Sequence, residues 1–281
     1  MPRPRAAVVR VAHRAVSVAG VTSSSQIGAR SGTAVNRIVF LGHATVLIEC
    51  AGKRLLTDPL LRARVAHLRR QVPLEDGALG GPVDAVLISH LHHDHLDLPS
   101  LRALGSDTPL IVPAGAGPWL RRRRFGAVSE LAVGEGASVG ALTVRAVPAR
   151  HDGRRPRGPQ APAIGYLVEG ECAVYFAGDT ELFPEMGRLG RPVDVALLPI
   201  GGWGPRLGPG HMGPLEAARA TALIAPRIAI PIHWGTLLPI GLSRRYRARL
   251  ADAPRRFAEH VAELAPGVEV RVLAPGEDTP F

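Results

Sequence analysis

Lysine is almost absent from this chain. Of its 34 basic residues only Lys53 is a lysine, while Arg, Ala, Gly and Pro abound. A GC-rich coding sequence produces that bias, so the net charge of +10 is read as compositional background and not as a nucleic-acid footprint. Aromatic residues are scarce as well, at 4%. That removes the stacking platform used to hold single strands, and no nucleic-acid partner is expected. There are two cysteines, Cys50 and Cys172, each inside an apolar, strand-like run and neither in a CxxC pair. Two small buried hydrophobes are expected, with no disulfide framework and no zinc ribbon. No uninterrupted apolar run reaches the ~20 residues of a membrane-spanning helix. The opening "MPRPRAAVVRVAHRAVSVAG" has the outline of a secretory signal, but Arg10, His13 and Arg14 interrupt its apolar stretch. It reads as a packed or frayed arm, an amphipathic helix on a membrane surface being the alternative. A cytoplasmic protein is expected.

What is present is a large apolar fraction, 46% of 281 residues, enough for a substantial core. Residues 21–36, "VTSSSQIGARSGTAVN", are small and polar and read as a linker. The chain therefore divides into an arm and linker over 1–36 and one domain over 37–281. Within that domain "RIVFLGHATVLIECAGKRLLTDP" gives short strands with a turn at Ala51-Gly52-Lys53. "VDAVLISH" and "PLIVPAG" are continuous apolar runs of strand length, suited to strands buried on both faces. "DLPSLRAL" predicts a helix with Asp97 as N-cap and Pro99 in its first turn. "SVGALTVRAVPA", "AIGYLVEG" and "CAVYFAGD" read as a meander, and "VDVALLPIGG" and "RIAIPIHWG" as further strands. "GPLEAARATALIA" and "RRYRARLADAPRRFAEHVAEL" are the helical candidates. Many strands with helices between them predict a single α/β domain.

The chemistry concentrates in "VLISHLHHDHLDL". His90 and His92 lie two apart, so on an extended segment they face the same way. Asp94 and His95 follow at once. Imidazole and carboxylate suit zinc and similar first-row ions, and thiolates are missing. One ion cannot use every donor in this cluster, whereas a pair can. The remaining ligands are sought where other apolar runs stop, since a rigid strand aims a side chain and its end stays open to substrate. Three such positions exist: His151 after "VPAR", Asp179 after "VYFAG" and His233 after "IAIPI".

The order HxHxDH (His90 to His95), then a lone His, a Gly-Asp and a late His, resembles the metallo-β-lactamase superfamily. The segments "LGHATVLIE", "TDPLL", "PARH", "AGDT" and "PIGGWGPRLGPGHMGPLEAAR…PIHWGT" look like the branch holding N-acyl-phosphatidylethanolamine phospholipase D and the ascorbate-phosphate lactonases. The resemblance runs from about Arg37 to the C-terminus. It implies a four-layer αββα sandwich with a metal site at one edge. It implies that His90, His92 and His151 hold one ion, that Asp94, His95 and His233 hold a second, and that Asp179 bridges them. Asp58 resembles a carboxylate that orients a ligand imidazole. His43 is placed near the site without binding metal, and His93 is the motif's variable position. His211, in "GPGHMGP", matches a loop histidine of the phospholipase branch. It is read either as a proton donor or substrate contact, or as a surface histidine. His13, His67 and His260 are assigned to ordinary structure.

The implied enzyme is a hydrolase with two divalent ions, zinc first and manganese or iron as alternatives. A water held between such ions acidifies to pKa ~7, and the same ions polarise a carbonyl or phosphoryl oxygen. The candidate catalytic side chains are Asp94, Asp179 and His211. Arg154, Arg155 and Arg157 after His151, with Arg206 before His211, lean toward a small anionic substrate, because guanidinium forks suit phosphate or carboxylate. A phosphodiester is slightly preferred. A lactone or other carboxylic ester is the alternative, and a non-catalytic ligand- or nucleic-acid-binding protein on the same scaffold is the reading from another class. The loop after His151 is short, and "AIGY" stands where the phospholipases carry a Gly-Ser-Trp-like segment, which argues against a long-chain lipid.

Overall fold

A computed structural model describes residues 35–204, 206–241 and 250–281. Nearly all of the expected arm, His13 and the first residues of the last predicted helix lie outside the described residues. Two seven-stranded sheets carry the fold. The first has the order β17 (Asp278–Pro280), β1 (Arg37–Gly42), β2 (Thr45–Cys50), β3 (Lys53–Thr57), β6 (Ala85–Leu87), β7 (Leu110–Pro113) and β8 (Val128–Leu131). The second has the order β16 (Glu269–Val270), β14 (Ile228–Ile232), β13 (Val195–Pro199), β12 (Ala173–Phe176), β11 (Ile164–Glu169), β10 (Leu142–Pro148) and β9 (Gly136–Val139). A small third sheet joins β15 (Leu237–Pro239), β5 (Leu68–Arg70) and β4 (Arg64–Val65).

The apolar runs are continuous because both faces of each sheet are covered. On β1, Ile38 and Phe40 enter the layer between the sheets, while Val39 and Leu41 face outward. There they share a cluster with Leu101 of helix α1 (Leu98–Leu104) and with Trp119 and Leu120 of α2 (Gly117–Arg121). On β12, Val174 and Phe176 face the inter-sheet layer. Tyr175 and Ala177 face outward, toward Ala217 and Ala218 of α3 (Pro214–Ile224) and Phe257 and Val261 of α4 (Ala253–Leu264). The result is the expected four-layer αββα sandwich. No described helix is long and apolar enough to cross a membrane.

Local chemistry places the elements as the sequence implies. Ala51 (φ 49°) and Gly52 (φ 70°) form a two-residue turn with left-handed backbone at both positions, and Cys50 pairs with Lys53 across it. Asp97 caps α1 by accepting from the Ser100 N–H at 3.1 Å. One expectation fails. Cys50 and Cys172 are not separate hydrophobes but a disulfide joining the two sheets. Both side chains point into the same inter-sheet cluster, and 122 residues separate them, so spacing along the chain gave no sign of the pairing.

Candidate metal centre

The strands that end in a candidate donor run in the same direction within their sheets. In the first sheet β2 is antiparallel to both β1 and β3, and β3 is parallel to β6. In the second, β11 is antiparallel to both β10 and β12, and β12, β13 and β14 are parallel. Their carboxyl ends therefore share an edge of the sandwich. His43 follows β1, Asp58 follows β3, the HxHxDH turn follows β6, His151 follows β10, Asp179 follows β12 and His233 follows β14. The close approach needed at this edge shows at Gly178 (φ +61°), where an added Cβ would lie 2.6 Å from that of Ser89. His43 (φ 58°), Asp58 (φ 34°) and His233 (φ 61°) hold left-handed backbone without being glycine. Hydrogen bonds fix each of them: Asp58 N–H to Leu87 O at 2.9 Å, His233 N–H to His43 O at 2.8 Å, and His43 N–H to Thr236 Oγ1 at 2.7 Å.

The imidazoles converge. His95 Nε2 lies 3.2 Å from His233 Nε2, and His151 Nε2 lies 3.2 Å from His92 Nδ1. Asp179 reaches between them, with Oδ2 3.3 Å from His95 Nε2 and 4.0 Å from His90 Nε2, and Oδ1 3.3 Å from His233 Nε2. Four rings have their other nitrogen bound outward. A carbonyl oxygen only accepts, so His151 Nδ1–H donates to Gly210 O and His233 Nδ1–H to Gly201 O, both at 2.9 Å. Asp58 Oδ2 accepts from His95 Nδ1–H at 2.7 Å and from Ser89 Oγ–H at 2.6 Å. Ser89 Oγ in turn accepts from His90 Nδ1–H at 3.0 Å. These partners fix the tautomers and leave the Nε2 lone pairs of His90, His95, His151 and His233 pointing at one another. His90 Nε2 and Asp179 Oδ1 are buried with no hydrogen-bond partner. Buried acceptors without donors are costly. A divalent cation is the group that satisfies lone pairs of imidazole and carboxylate together, so the donor set fits metal.

Charge follows the same geometry. Burial pushes His151 down to about 4 and His233 down to about 3, and it drives His90 well below its ordinary value. At His95 burial also opposes the charge, but Asp179, Asp94 and Asp58 outweigh it and hold the ring well above the usual range. Asp94 and Asp179 are held well below the carboxylate range, the surrounding imidazoles outweighing their burial.

Each predicted donor lies in this cluster. The donor atoms of His90, His92 and His151 fall within 4.8 Å of one another, and so do those of His43, Asp94, His95 and His233. Asp58, fully buried, sits behind His95 and Ser89 as expected. His211 is at the site and not on an unrelated surface: its Nε2 is 3.5 Å from Asp179 Oδ2 and its ring is half-buried. Its pKa is raised, burial being outweighed by the Asp179 carboxylate. The arginine reading fares differently. Arg155 Nη1–H donates to Leu96 O at 2.7 Å and Leu91 O at 3.3 Å, Nη2 faces His93 Nδ1 at 2.9 Å, and the guanidinium lies over Trp119. It fastens the HxHxDH turn and does not await an anion. Arg154 pairs with Asp152 at 3.0 Å, while Arg157 and Arg206 are exposed. Two residues escaped sequence reasoning. Ser89 links Asp58 to His90, and Trp203 Nε1–H donates to Asp94 Oδ2 at 3.1 Å. The only sign of Trp203 was an aromatic residue in a glycine-rich loop. Beside the cluster lies an open cavity of about 560 Å³, lined by His151, Asp152, Gly153, Arg154, Gln160 and Pro162 among others.

Comparison with known proteins agrees with this geometry. Residues 53–234 match the family described as Beta-lactamase superfamily domain. A protein of Methanopyrus kandleri described as a metal-dependent hydrolase is 34% identical over 249 residues, which cover 86% of this chain and 98% of that one. The N-acyl-phosphatidylethanolamine-hydrolyzing phospholipase D 1 of Caenorhabditis elegans is 32% identical over 235 residues, 74% of this chain and 65% of that one. Among solved structures, the metallo hydrolase Igni18 of Ignicoccus hospitalis superposes with a TM-score of 0.68 at 27% identity, covering 88% of this chain and 98% of that one. With two sheets, helices on both outer faces and the donor cluster at their shared edge, the chain belongs to the metallo-β-lactamase superfamily.

Proposed function

We propose that this chain is a metal-dependent hydrolase working with two divalent ions, zinc foremost and manganese or iron as alternatives, on a phosphodiester. One observation carries the reading: imidazole lone pairs are aimed inward around Asp179 with no protein hydrogen to share. His90, His92 and His151 would hold one ion, Asp94, His95 and His233 the other, with Asp179 between them. Bound there, the ions supply Lewis acidity and an acidified water as nucleophile. The protein's own part is positioning. Asp58, Gly201 and Gly210 hold the imidazoles in the binding tautomer. His211 stands on the accessible side of Asp179, where its Nε2 can pass a proton to a departing alkoxide. The cavity beside His151 receives the substrate. The nematode relative, named for cleaving a phosphodiester, supports that bond class.

A lactone or other carboxylic ester is the second reading. It is favoured by Arg154 and Arg155, which follow His151 and are already engaged by Asp152 and by main-chain carbonyls. Purified protein should hold about two ions per chain and hydrolyse bis-p-nitrophenyl phosphate with added zinc or manganese. Turnover of simple lactones alone would move the assignment to the second reading. Less than one ion per chain with neither activity would overturn both.

A further inference from the structure

Asp94 is held in an unusual way for a candidate ligand. Its Oδ2 accepts from two donors, His43 Nε2–H at 2.9 Å and Trp203 Nε1–H at 3.1 Å. The same Oδ2 lies 3.8 Å from His95 Nε2, so the two donors fix how the carboxylate is turned among the imidazoles. Both donors are themselves fixed. The His43 ring packs on His233 at 4.0 Å between centroids, and the His43 backbone N–H donates to Thr236 Oγ1. Arg70, nearly buried, grips the Leu41 carbonyl with Nη1–H at 3.0 Å and Nη2–H at 2.7 Å, fastening the strand end just before His43. Trp203 packs on the cluster of Leu60, Val65, Leu68 and Leu237, and His67 meets its ring edge-on at 4.9 Å. Arg70, Val65, Leu68 and Leu237 all belong to the small sheet of β4, β5 and β15.

We propose that His43 and Trp203 are positioning residues that fix the orientation of the Asp94 carboxylate within the donor cluster, and that the three-stranded sheet is their support. The inference rests on the two-ion reading above. It makes His43 a donor to Asp94 and not a ligand, although its ring lies among the ligand atoms.

Trp203→Phe keeps a packed ring and removes the N–H, and His43→Gln keeps a donor where His43→Ala does not. Zinc titration of each metal-free protein should show one of the two binding steps weakened ~10- to 100-fold in Trp203→Phe and His43→Ala, with His43→Gln largely restored. The other step should keep its wild-type affinity in both variants. In the wild type, the indole N–H signal that Trp203→Phe removes should shift on zinc addition. Wild-type affinity at both steps in Trp203→Phe and His43→Ala would overturn the clamp while leaving the two-ion centre standing. Equal weakening of both steps together with a lower metal-free melting temperature would overturn it too, marking a packing role. A wild-type chain that binds no zinc would instead overturn the two-ion reading, and with it the need for a clamp.

Discussion

Asp58→Asn is the sharpest test of how the centre is built, because the change is nearly isosteric and the environment of Asp58 consists only of donors. The carboxylate is fully buried. Its Oδ1 accepts from the Ser89 N–H at 2.7 Å, and its Oδ2 accepts from Ser89 Oγ–H at 2.6 Å and from His95 Nδ1–H at 2.7 Å. An asparagine brings one N–H₂ into this set, and each orientation fails differently. With the amide nitrogen toward Ser89 N–H, two donors face each other in the interior, at a cost of about 1–3 kcal/mol. With the amide nitrogen toward His95, the ring must move its proton from Nδ1 to Nε2. There the proton points at Asp179 and His233, and the ring is lost as a ligand. The expected outcome is a metal-free protein less stable by about 1–3 kcal/mol in urea titration. Binding of at least one ion should weaken ~10- to 100-fold, or about 1.4–2.7 kcal/mol, in competition with a chromogenic chelator. Wild-type values in both measurements would refute the claim that Asp58 sets the His95 tautomer.

Asp179→Ala should abolish turnover and lower metal content while the circular dichroism of the fold persists; near-normal activity would remove the bridging role. His211→Gln should lower turnover by ~10²-fold or more with metal content unchanged, and loss of metal together with activity would make it a ligand instead. The metal-free protein should lose stability as pH falls from about 6.5 toward 4. His151, with a pKa of about 4, and His233, at about 3, stay neutral in the fold while an unfolded imidazole protonates near 6.5, so the unfolded chain binds more protons and stability rises with pH in that window. Each such histidine contributes a slope of up to about 1.4 kcal/mol per pH unit. His95, raised, acts oppositely: its contribution is complete below about pH 6.5 and fades as pH rises through its higher value. Denaturation midpoints of the metal-free protein that stay flat between pH 4 and 6.5 would contradict this balance.

What the sequence made legible, and what it hid, divide along a physical line. Residue types that are rare at the end of a buried strand stand out wherever they occur, which is why His151, Asp179 and His233 were found one by one although the first and last are 82 positions apart. The alternation that builds the sandwich was less visible. Ile38 and Val39 are equally apolar yet enter different layers, so the run reads as buried without revealing two faces. Relations between side chains remote in sequence were not legible. The Cys50–Cys172 bond, the Trp203 N–H on Asp94 and the Arg155 donors on Leu91 and Leu96 each join segments brought together only by the fold. Arg155 shows the consequence most clearly. Beside a metal ligand in sequence, a guanidinium reads as an anion receptor, but its donors face carbonyls at the end of the motif turn and its work is to hold that turn in place. The ligands of such a site are thus written as residue types, whereas the contacts that set their tautomer and orientation are written only in three dimensions. The hydrogen bonds that Asp58 accepts and that His43 and Trp203 donate are therefore where members of one superfamily with the same donor set can differ in metal affinity and chemistry.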